Sequence, residues 1–363
     1  MIRNYTGELK KIEASLVTLL PPSLSLAWKT RVFPGLELKN EAAENLIAPG
    51  RDIFMRGGKR WRPLLAHLVC RALGGGDAAL PLLPLVEFTH NASLIHDDLE
   101  DNSDERRDKP AIHLLYGNDT AINSGSFLYL LPLAALENYE CDPEDKNRLW
   151  KHWAELMRFL HLGQSMDIAW HRDISIIPSL DDYMVMCRLK TGCLAKFAVI
   201  LGIEAARIAQ KNDAADNGRD YNGLMTGLGE AAQQLGVGFQ ILDDVKNLST
   251  GIPGKKRGDD VVEGKKSLPV LLFLQNEDKK NTMNRSERGA FVLRCFEAAR
   301  AGGVNVPEVK EFIEKLTESG SLQEAEKQGK DFIAGAISAF SGLKTIDGMA
   351  GNELSGLLED LNA

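Results

Sequence analysis

Apolar residues recur at three- and four-residue intervals through most of this chain, and that spacing restricts it to packed helices. The runs "RPLLAHLVCRAL" (62–73), "LPLLPLVEFTHNASLIHDDLED" (80–101), "LWKHWAELMRFLHLGQSMDIAW" (149–170) and "LMTGLGEAAQQLGVGFQILDDV" (224–245) all follow it. Several are apolar nearly all round, which marks helices buried on every side. Alternating strand patterns are scarce. The breaks are short: "LGGGD" (73–77), "CDPED" (141–145), "KNDAADNGRDYNG" (211–223) and "NLSTGIPGKKRGDD" (247–260). No fixed-period repeat and no long low-complexity linker divides the chain. The expectation is an all-α fold in a single domain over 1–363, with 276–363 forming a C-terminal helical segment.

Composition narrows the function classes. With 44% hydrophobic and 26% charged residues in 363, the chain can bury a full core. A net charge of −8 argues against a general nucleic-acid binder, yet leaves room for an anionic small substrate held by local cations. Five cysteines without CxxC spacing read as thiols of a reducing cytosol rather than a zinc site or disulfide frame. The N-terminus carries an early acid, Glu8, and Pro21-Pro22 breaks its apolar run. It reads as neither a signal peptide nor a membrane span, so a cytoplasmic protein without a transmembrane segment is expected.

One stretch departs from ordinary surface chemistry. "SLIHDDLEDNSDERRDKP" (93–110) packs seven carboxylates into residues 97–108, directly behind an apolar run. Positions four apart on a helix differ by roughly 40°, so Asp97 and Asp101 share a face, while Asp98 lies about 100° away. Acids at a helix C-terminus oppose the macrodipole, and like charges at i,i+4 repel. A cation would compensate both penalties, and carboxylate oxygens suit Mg²⁺, which binds one or two of them together with phosphates and water. Alone, the cluster could equally be a solvated loop. A second copy shifts the balance: "GVGFQILDDVKNL" (236–248) places Asp243 and Asp244 at the end of another apolar run. Two such ends facing each other across a cleft could hold several metal ions around one polyphosphate.

Basic residues are interleaved with these acids. "GGKRWRP" (57–63) presents Lys59, Arg60 and Arg62 after two glycines, where a helix could begin at Pro63. The spacing is not that of a P-loop. Arg106 and Arg107 follow the first acidic cluster, and "LKTG" (189–192) and "GKKRGDDVVEGKKSLP" (254–269) come later.

In order and approximate spacing, "GGKRWRP", "HNASLIHDDLEDNSDERRDKPAIH", "GQSMDIAW", "LKTG", "GFQILDDVKNL" and "GDDVVEGKKSLPVL" resemble the trans-isoprenyl diphosphate synthases, the polyprenyl synthetase family. The likeness covers residues from about 50 to 275 and is geranylgeranyl- or polyprenyl-synthase-like. It implies the isoprenoid synthase fold, antiparallel helices around a central cavity, usually as a homodimer. It also implies the reaction. An allylic diphosphate (dimethylallyl, geranyl or farnesyl) ionises, isopentenyl diphosphate attacks the cation, and a proton is lost, with three Mg²⁺ ions present when substrate is bound.

Carried over residue by residue, the resemblance makes Asp97 and Asp101 metal ligands supported by Asp98, and Asp243 a ligand with Asp244 behind it. Lys59, Arg62, His90 and Arg107 would hold isopentenyl diphosphate. Arg106, Lys190, Thr191, Gln240, Lys255 and Lys265 would surround the allylic diphosphate, with Gln164 and Asp167 supporting the metal or the cation. Asp97, Asp101, Asp243, Arg106 and Lys190 would carry the catalysis. No general base stands out, and in the family the released diphosphate takes the proton.

Two positions depart from the family pattern. Asn247 replaces the last Asp of the second motif, which implies weaker metal support, and Asp108 stands where many members have Gly. Lys256, Arg257 and Lys266 read as surface charges, as do the surplus acids Glu100, Asp104, Glu105 and Asp108. Three other readings compete. An HD phosphohydrolase would use His96-Asp97 but needs further histidines at helical spacing. A class I terpene cyclase needs a Ser or Thr and then a Glu at the positions held by Asn247 and Gly251. A non-catalytic regulatory subunit would lack an acidic motif, and this chain has both.

In the family the residues four and five before the first acidic motif help set product length. Here they are Ser93 and Ala92, both small, which leaves the pocket open past fifteen carbons. Ser93 lies about 40° from Asp97 around the helix and Ala92 about 140° away, so geometry favours Ser93. Thr89 is also modest in size, and Phe88 could be the floor.

Overall fold

The structure is a computed structural model that describes residues 5–211, 218–251, 256–275, 283–345 and 348–362. It is all-α apart from one two-residue ribbon among the described residues. The helices that matter below are α1 (Thr6–Val17), α2 (Asn40–Met55), α3 (Trp61–Ala72), α4 (Pro84–Glu100), α5 (Asn118–Leu130) and α6 (Pro143–Arg172). They continue with α7 (Leu180–Cys187), α8 (Cys193–Gln210), α9 (Tyr221–Leu248), α10 (Asp259–Glu263), α11 (Leu268–Gln275) and α12 (Arg285–Gly302). The residues form two compact units, one of 1–157, 194–232 and 337–363, the other of 158–193 and 233–336. None of the described helices is long and apolar enough to cross a membrane.

In the first unit α4 is the central element. Pro84 starts it at a position where the missing N–H costs nothing. Leu85, Val86, Phe88, Thr89, Ala92 and Ile95 are then fully buried. Phe88 meets Phe54 of α2 edge-on at 5.9 Å, and His96 stacks on Tyr129 of α5 at 5.4 Å. Each such aromatic pair adds about 1 kcal/mol beyond its burial. The last turn of α4 contains no basic residue, so its acids meet the helix C-terminus without a local cation in that turn.

Behind α4 the chain turns through a hairpin, β1 (Glu105–Arg106) and β2 (Lys109–Pro110), paired Glu105 to Pro110 and Arg106 to Lys109. Its two loop residues, Arg107 (φ 54°) and Asp108 (φ 59°), both have positive φ, as the tight two-residue hairpin turn demands. Aspartate visits this region more readily than most residues. The Asp in place of the family's Gly therefore leaves the turn intact.

The second unit is built on one apolar cluster. Val237, Ile241 and Val245 of α9 pack with Leu268, Leu271 and Phe273 of α11 and with Val292, Phe296 and Ala299 of α12. Each fully buried Leu, Ile or Phe is worth about 1.5–3 kcal/mol. Residues 188–192 form a single π-helical turn between α7 and α8, a distortion that often marks function. Close backbone approach permits it. A Cβ on Gly163 of α6 would lie 2.4 Å from the Lys190 nitrogen, and one on Gly236 of α9 would lie 2.6 Å from the Gly192 Cα. The glycines of "GQSMD", "LKTG" and "LGVGFQ" are therefore packing requirements, which present Lys190 and Thr191 between two helices.

Candidate functional site

In the first unit, cations gather around the start of α3. Gly57 (φ 85°) and Gly58 (φ 145°) turn the chain, and a Cβ on Gly58 would come within 3.1 Å of Arg107 and 3.3 Å of Arg60. Glycine is what lets this loop lie against two guanidiniums. Helix α3 begins at Trp61, two residues before Pro63, because Arg60 itself takes a left-handed conformation (φ 49°) and turns inward. Arg60 is buried and donates to Glu13 (2.7 Å), to Glu87 (2.7 Å) and to the Phe54 carbonyl (2.8 Å). Glu87 also accepts from Asn91 (2.9 Å), whose own oxygen accepts from Arg107 at 3.3 Å. Arg107 further donates to the Ile53 carbonyl (2.9 Å). Arg60, Glu87 and Asn91 thus hold Arg107 in place, a role that no sequence pattern announced.

The resulting field is strongly positive. Burial, together with the charges of Arg62, Arg107, Arg106 and Arg60, holds His90 well below its ordinary value, so its ring is neutral. Burial also lowers Arg107, and the charges of Arg60, Arg106 and Arg56 add to this against the opposing charge of Glu87. Arg62 lays its guanidinium over the Trp61 ring at 4.3 Å, and Lys59 is exposed.

Arg106, the next residue, faces opposite surroundings. Its Nε and Nη2 donate to one oxygen of fully buried Asp98 at 2.8 and 2.5 Å. Burial opposes its charge, but Asp98, Asp97 and Asp101 together hold Arg106 above its ordinary value. Asp97 and Asp101 are half-buried, and Asp101 caps α4 by donating its N–H to the Asp97 carbonyl at 2.8 Å. Arg56 donates to the Arg106 and Pro110 carbonyls (3.0 and 2.9 Å), which pins the hairpin. Of the surplus acids, Asp104, Glu105 and Asp108 are exposed and Glu100 is half-buried. His96 has Nδ1 3.0 Å from the Ala92 carbonyl and its ring on Tyr129, a packing role. Along α4, Phe88, Thr89 and Ala92 are fully buried; Ser93 is half-buried, its hydroxyl donating to the His90 carbonyl.

In the second unit the predicted residues form two linked groups. Lys190 donates to Asp167 at 2.6 Å. Burial would raise the Asp167 carboxyl, but the charges of Lys190 and Lys265 prevail and hold it at about 2. Lys265 also pairs with Glu263. In the other group Thr191 donates to Gln240 (2.7 Å), Gln240 to Asp244 (2.9 Å), and the buried Tyr183 hydroxyl to the second Asp244 oxygen (2.8 Å). Burial and the charge of Asp260 push Asp244 up. Asp243 beside it is exposed, and Gln164 is half-buried one turn before Asp167. No motif in the sequence points to Tyr183; its one signal is the seven-residue spacing to Lys190, two turns along the same helical run. Lys255 lies outside the described residues.

One sequence reading changes. Lys266, expected on the surface, is 4% exposed: after Gly264 turns the chain with φ 76°, it points inward while Lys265 stays half-buried. Lys256 and Arg257 are exposed as expected. Asn247 is 1% exposed, and its oxygen accepts from the Asp260 N–H at 3.2 Å at the start of α10. It serves as an internal tie, in a place where Asp244 and Asp260 already press two carboxylates together. A third would add to that repulsion, which gives a physical reason for asparagine.

A further cluster resembles a metal site but is balanced without one. Glu8, His67 and Asp77 bring donor atoms within 4.8 Å of one another. Lys11 pairs with Asp77 (3.1 Å) and Arg71 with Glu8 (3.1 Å), so two cations meet two carboxylates in a network that fastens α1 to α3.

Comparison with known proteins points the same way. A family model described as polyprenyl synthetase matches residues 43–290. A short chain isoprenyl diphosphate synthase of Methanocaldococcus jannaschii is 33% identical over 282 residues, covering 76% of this chain and 77% of that protein. A geranylfarnesyl diphosphate synthase of Aeropyrum pernix is 29% identical over 87% of this chain and 93% of its own length. Among solved structures, a geranylgeranyl pyrophosphate synthetase from Pyrococcus horikoshii superposes with a TM-score of 0.76 at 27% identity, over 98% of this chain and 95% of that one.

Proposed function

The chain belongs to the polyprenyl synthetase family, and from that premise we propose that it condenses isopentenyl diphosphate with an allylic diphosphate to a trans-polyprenyl diphosphate of C20 or longer. The observation that carries this reading is the opposite setting of two adjacent arginines. Arg107 lies among Arg60, Arg106 and Arg56 and beside a neutral His90, where a diphosphate would relieve the mutual repulsion. Arg106 lies among Asp98, Asp97 and Asp101. We assign isopentenyl diphosphate to Lys59, Arg62, His90 and Arg107. The allylic diphosphate goes to Arg106, Lys190, Thr191, Gln240, Lys255 and Lys265.

The donor chemistry fits a hard divalent cation. Asp97 and Asp101, half-buried at an unfavourable helix end, and exposed Asp243 offer carboxylate oxygens, with Asp98 and Asp244 buried behind them. Mg²⁺, three ions in the substrate complex, would neutralise charge on the departing diphosphate. Asp98 keeps Arg106 oriented, and Tyr183 and Gln240 hold Asp244. In turnover the allylic C–O bond breaks with its electron pair leaving on diphosphate. The isopentenyl double bond then attacks the allylic carbon, and the adjacent proton passes to the released diphosphate. Arg106 and Lys190 stabilise that leaving group, an effect worth about 10²–10³ in rate for one well-placed donor. Chelation with EDTA is expected to abolish diphosphate release and added Mg²⁺ to restore it; turnover indifferent to chelation would contradict the assignment.

Ser93 is proposed as the length determinant, since it is the one half-buried member of the pocket set while Phe88, Thr89 and Ala92 are wholly enclosed. Ser93→Phe is expected to shift the longest product down by at least one five-carbon unit in mass spectra; an unchanged distribution would place the floor elsewhere. Leu114, Leu115, Ile122 and Leu130, each at least half exposed in the first unit, are apolar side chains that a homodimer would cover. Sedimentation at twice the chain mass is the expected result, and at the monomer mass the contrary one. None of the five cysteines is in a disulfide, which supports a reducing, cytoplasmic setting.

A further inference from the structure

The helix that carries Gln164 and Asp167 ends against two cations. Helix α6 stops at Arg172, and the last carbonyls of a helix have no partner within it. Here Lys266 donates to the carbonyls of Trp170 and Asp173, the latter at 3.2 Å. Arg300 of α12 donates to those of His171 and Arg172, the latter at 3.4 Å, and also to the Glu263 carbonyl at 3.2 Å. Four consecutive carbonyls, 170 to 173, are thus met by one ammonium and one guanidinium. Positive charge is also what the helix dipole favours at this end.

The same two side chains tie down the segment that presents Lys265. Gly264 packs so tightly that a Cβ there would lie 2.9 Å from Ile174 and 3.0 Å from Arg300. The Lys265 N–H is bonded to the Asp260 carbonyl at 2.8 Å. Lys265 follows this turn, and its charge acts on Asp167, six residues before the capped carbonyl of Asp173. We propose that Lys266 and Arg300 are positioning residues that lock the end of α6 to the 263–266 segment and so fix Lys265 relative to Asp167 for the allylic diphosphate. This rests on the assignment of Lys265 and Lys190 to that substrate.

The arrangement is costly if it serves packing alone. Burial and the nearby Arg300 lower Lys266 to about 8, against the favourable charges of Asp173 and Asp167. Its ammonium also lies 5.7 Å from the Phe296 ring, where an apolar side chain could fill the space without desolvating a charge. At pH 7 the ammonium form still dominates, so the donors and the charge both act on the helix end.

The test is steady-state kinetics of the full chain with each substrate varied in turn, on Lys266→Met, Arg300→Gln and Arg300→Lys. Arg300 is exposed, so its variants keep the core intact if Lys266→Met does not fold. The expected result is an allylic KM raised about tenfold in Lys266→Met and Arg300→Gln. The isopentenyl KM should stay within about twofold, and Arg300→Lys, which keeps the charge, should recover most of the loss. Equal losses for both substrates, or an unchanged allylic KM in folded Arg300→Gln, would overturn the inference. Inactivity of the unsubstituted chain would overturn the functional reading and this inference with it.

Discussion

Arg107→Met should raise the KM for isopentenyl diphosphate by about a hundredfold and leave the allylic KM within about twofold. Removing one partner of a desolvated charge pair costs about 2–5 kcal/mol, and a hundredfold corresponds to about 2.8. Arg107→Lys should not rescue it. The native side chain reaches two acceptors, the Ile53 carbonyl and Asn91, with one guanidinium nitrogen and has others left for the anion. The same site predicts a pH effect. His90 is held well below 6.5, so below that pH the unfolded chain binds a proton that the folded chain refuses. Stability from this source is therefore fully present above 6.5 and lost progressively as pH falls from 6.5 toward the lower folded value. A bound diphosphate reverses the field, so binding should take up protons, an uptake that calorimetry in two buffers detects. Proton release, or equal KM losses for both substrates, would contradict the assignment.

The second large effect is expected at Lys190. Its methionine variant should lose about 10²–10³ in kcat, the loss typical of removing one preorganised donor. It should also lose acid stability. Asp167 is 9% exposed and held at about 2, against 3.8 for a free aspartate, with burial raising it and Lys190 and Lys265 overcoming that effect. That depression contributes about 2 kcal/mol, present above pH 4 and lost as pH falls through 2. With Lys190 gone, Lys265 and His171 are left to oppose burial, so the denaturation midpoint of Lys190→Met at pH 7 should drop and its stability should change less between pH 4 and 2. A variant with normal kcat, or with the full acid dependence retained, would show that Lys190 serves neither role.

What the sequence made legible was what local spacing encodes. The all-α class followed from apolar periodicity, and the shared face of Asp97 and Asp101 from a four-residue interval. Exposure of Asp104, Glu105 and Asp108 followed from their placement in a polar turn. Long-range partners stayed hidden. Nothing local distinguishes Lys265 from Lys266, and only the turn at Gly264 sends one inward. Asn247 reads in the sequence as a member of the second motif, and the amide thirteen residues on that donates to its oxygen was not visible there. Arg60 comes from one stretch and Glu87 and Asn91 from another, so the network holding Arg107 was invisible until the two met. The motif glycines Gly163, Gly192 and Gly236 carried no reading of their own in the sequence, and their constraint is helix approach around a π-helical turn.

The central claim is that this chain alone lengthens an allylic diphosphate. The direct measurement incubates the purified protein with Mg²⁺, isopentenyl diphosphate and, in turn, dimethylallyl, geranyl or farnesyl diphosphate, and reads products by mass spectrometry. The expected products are diphosphates longer by five-carbon steps and reaching C20 or beyond. Unchanged primers in every incubation, or cyclic hydrocarbons in place of longer diphosphates, would contradict it.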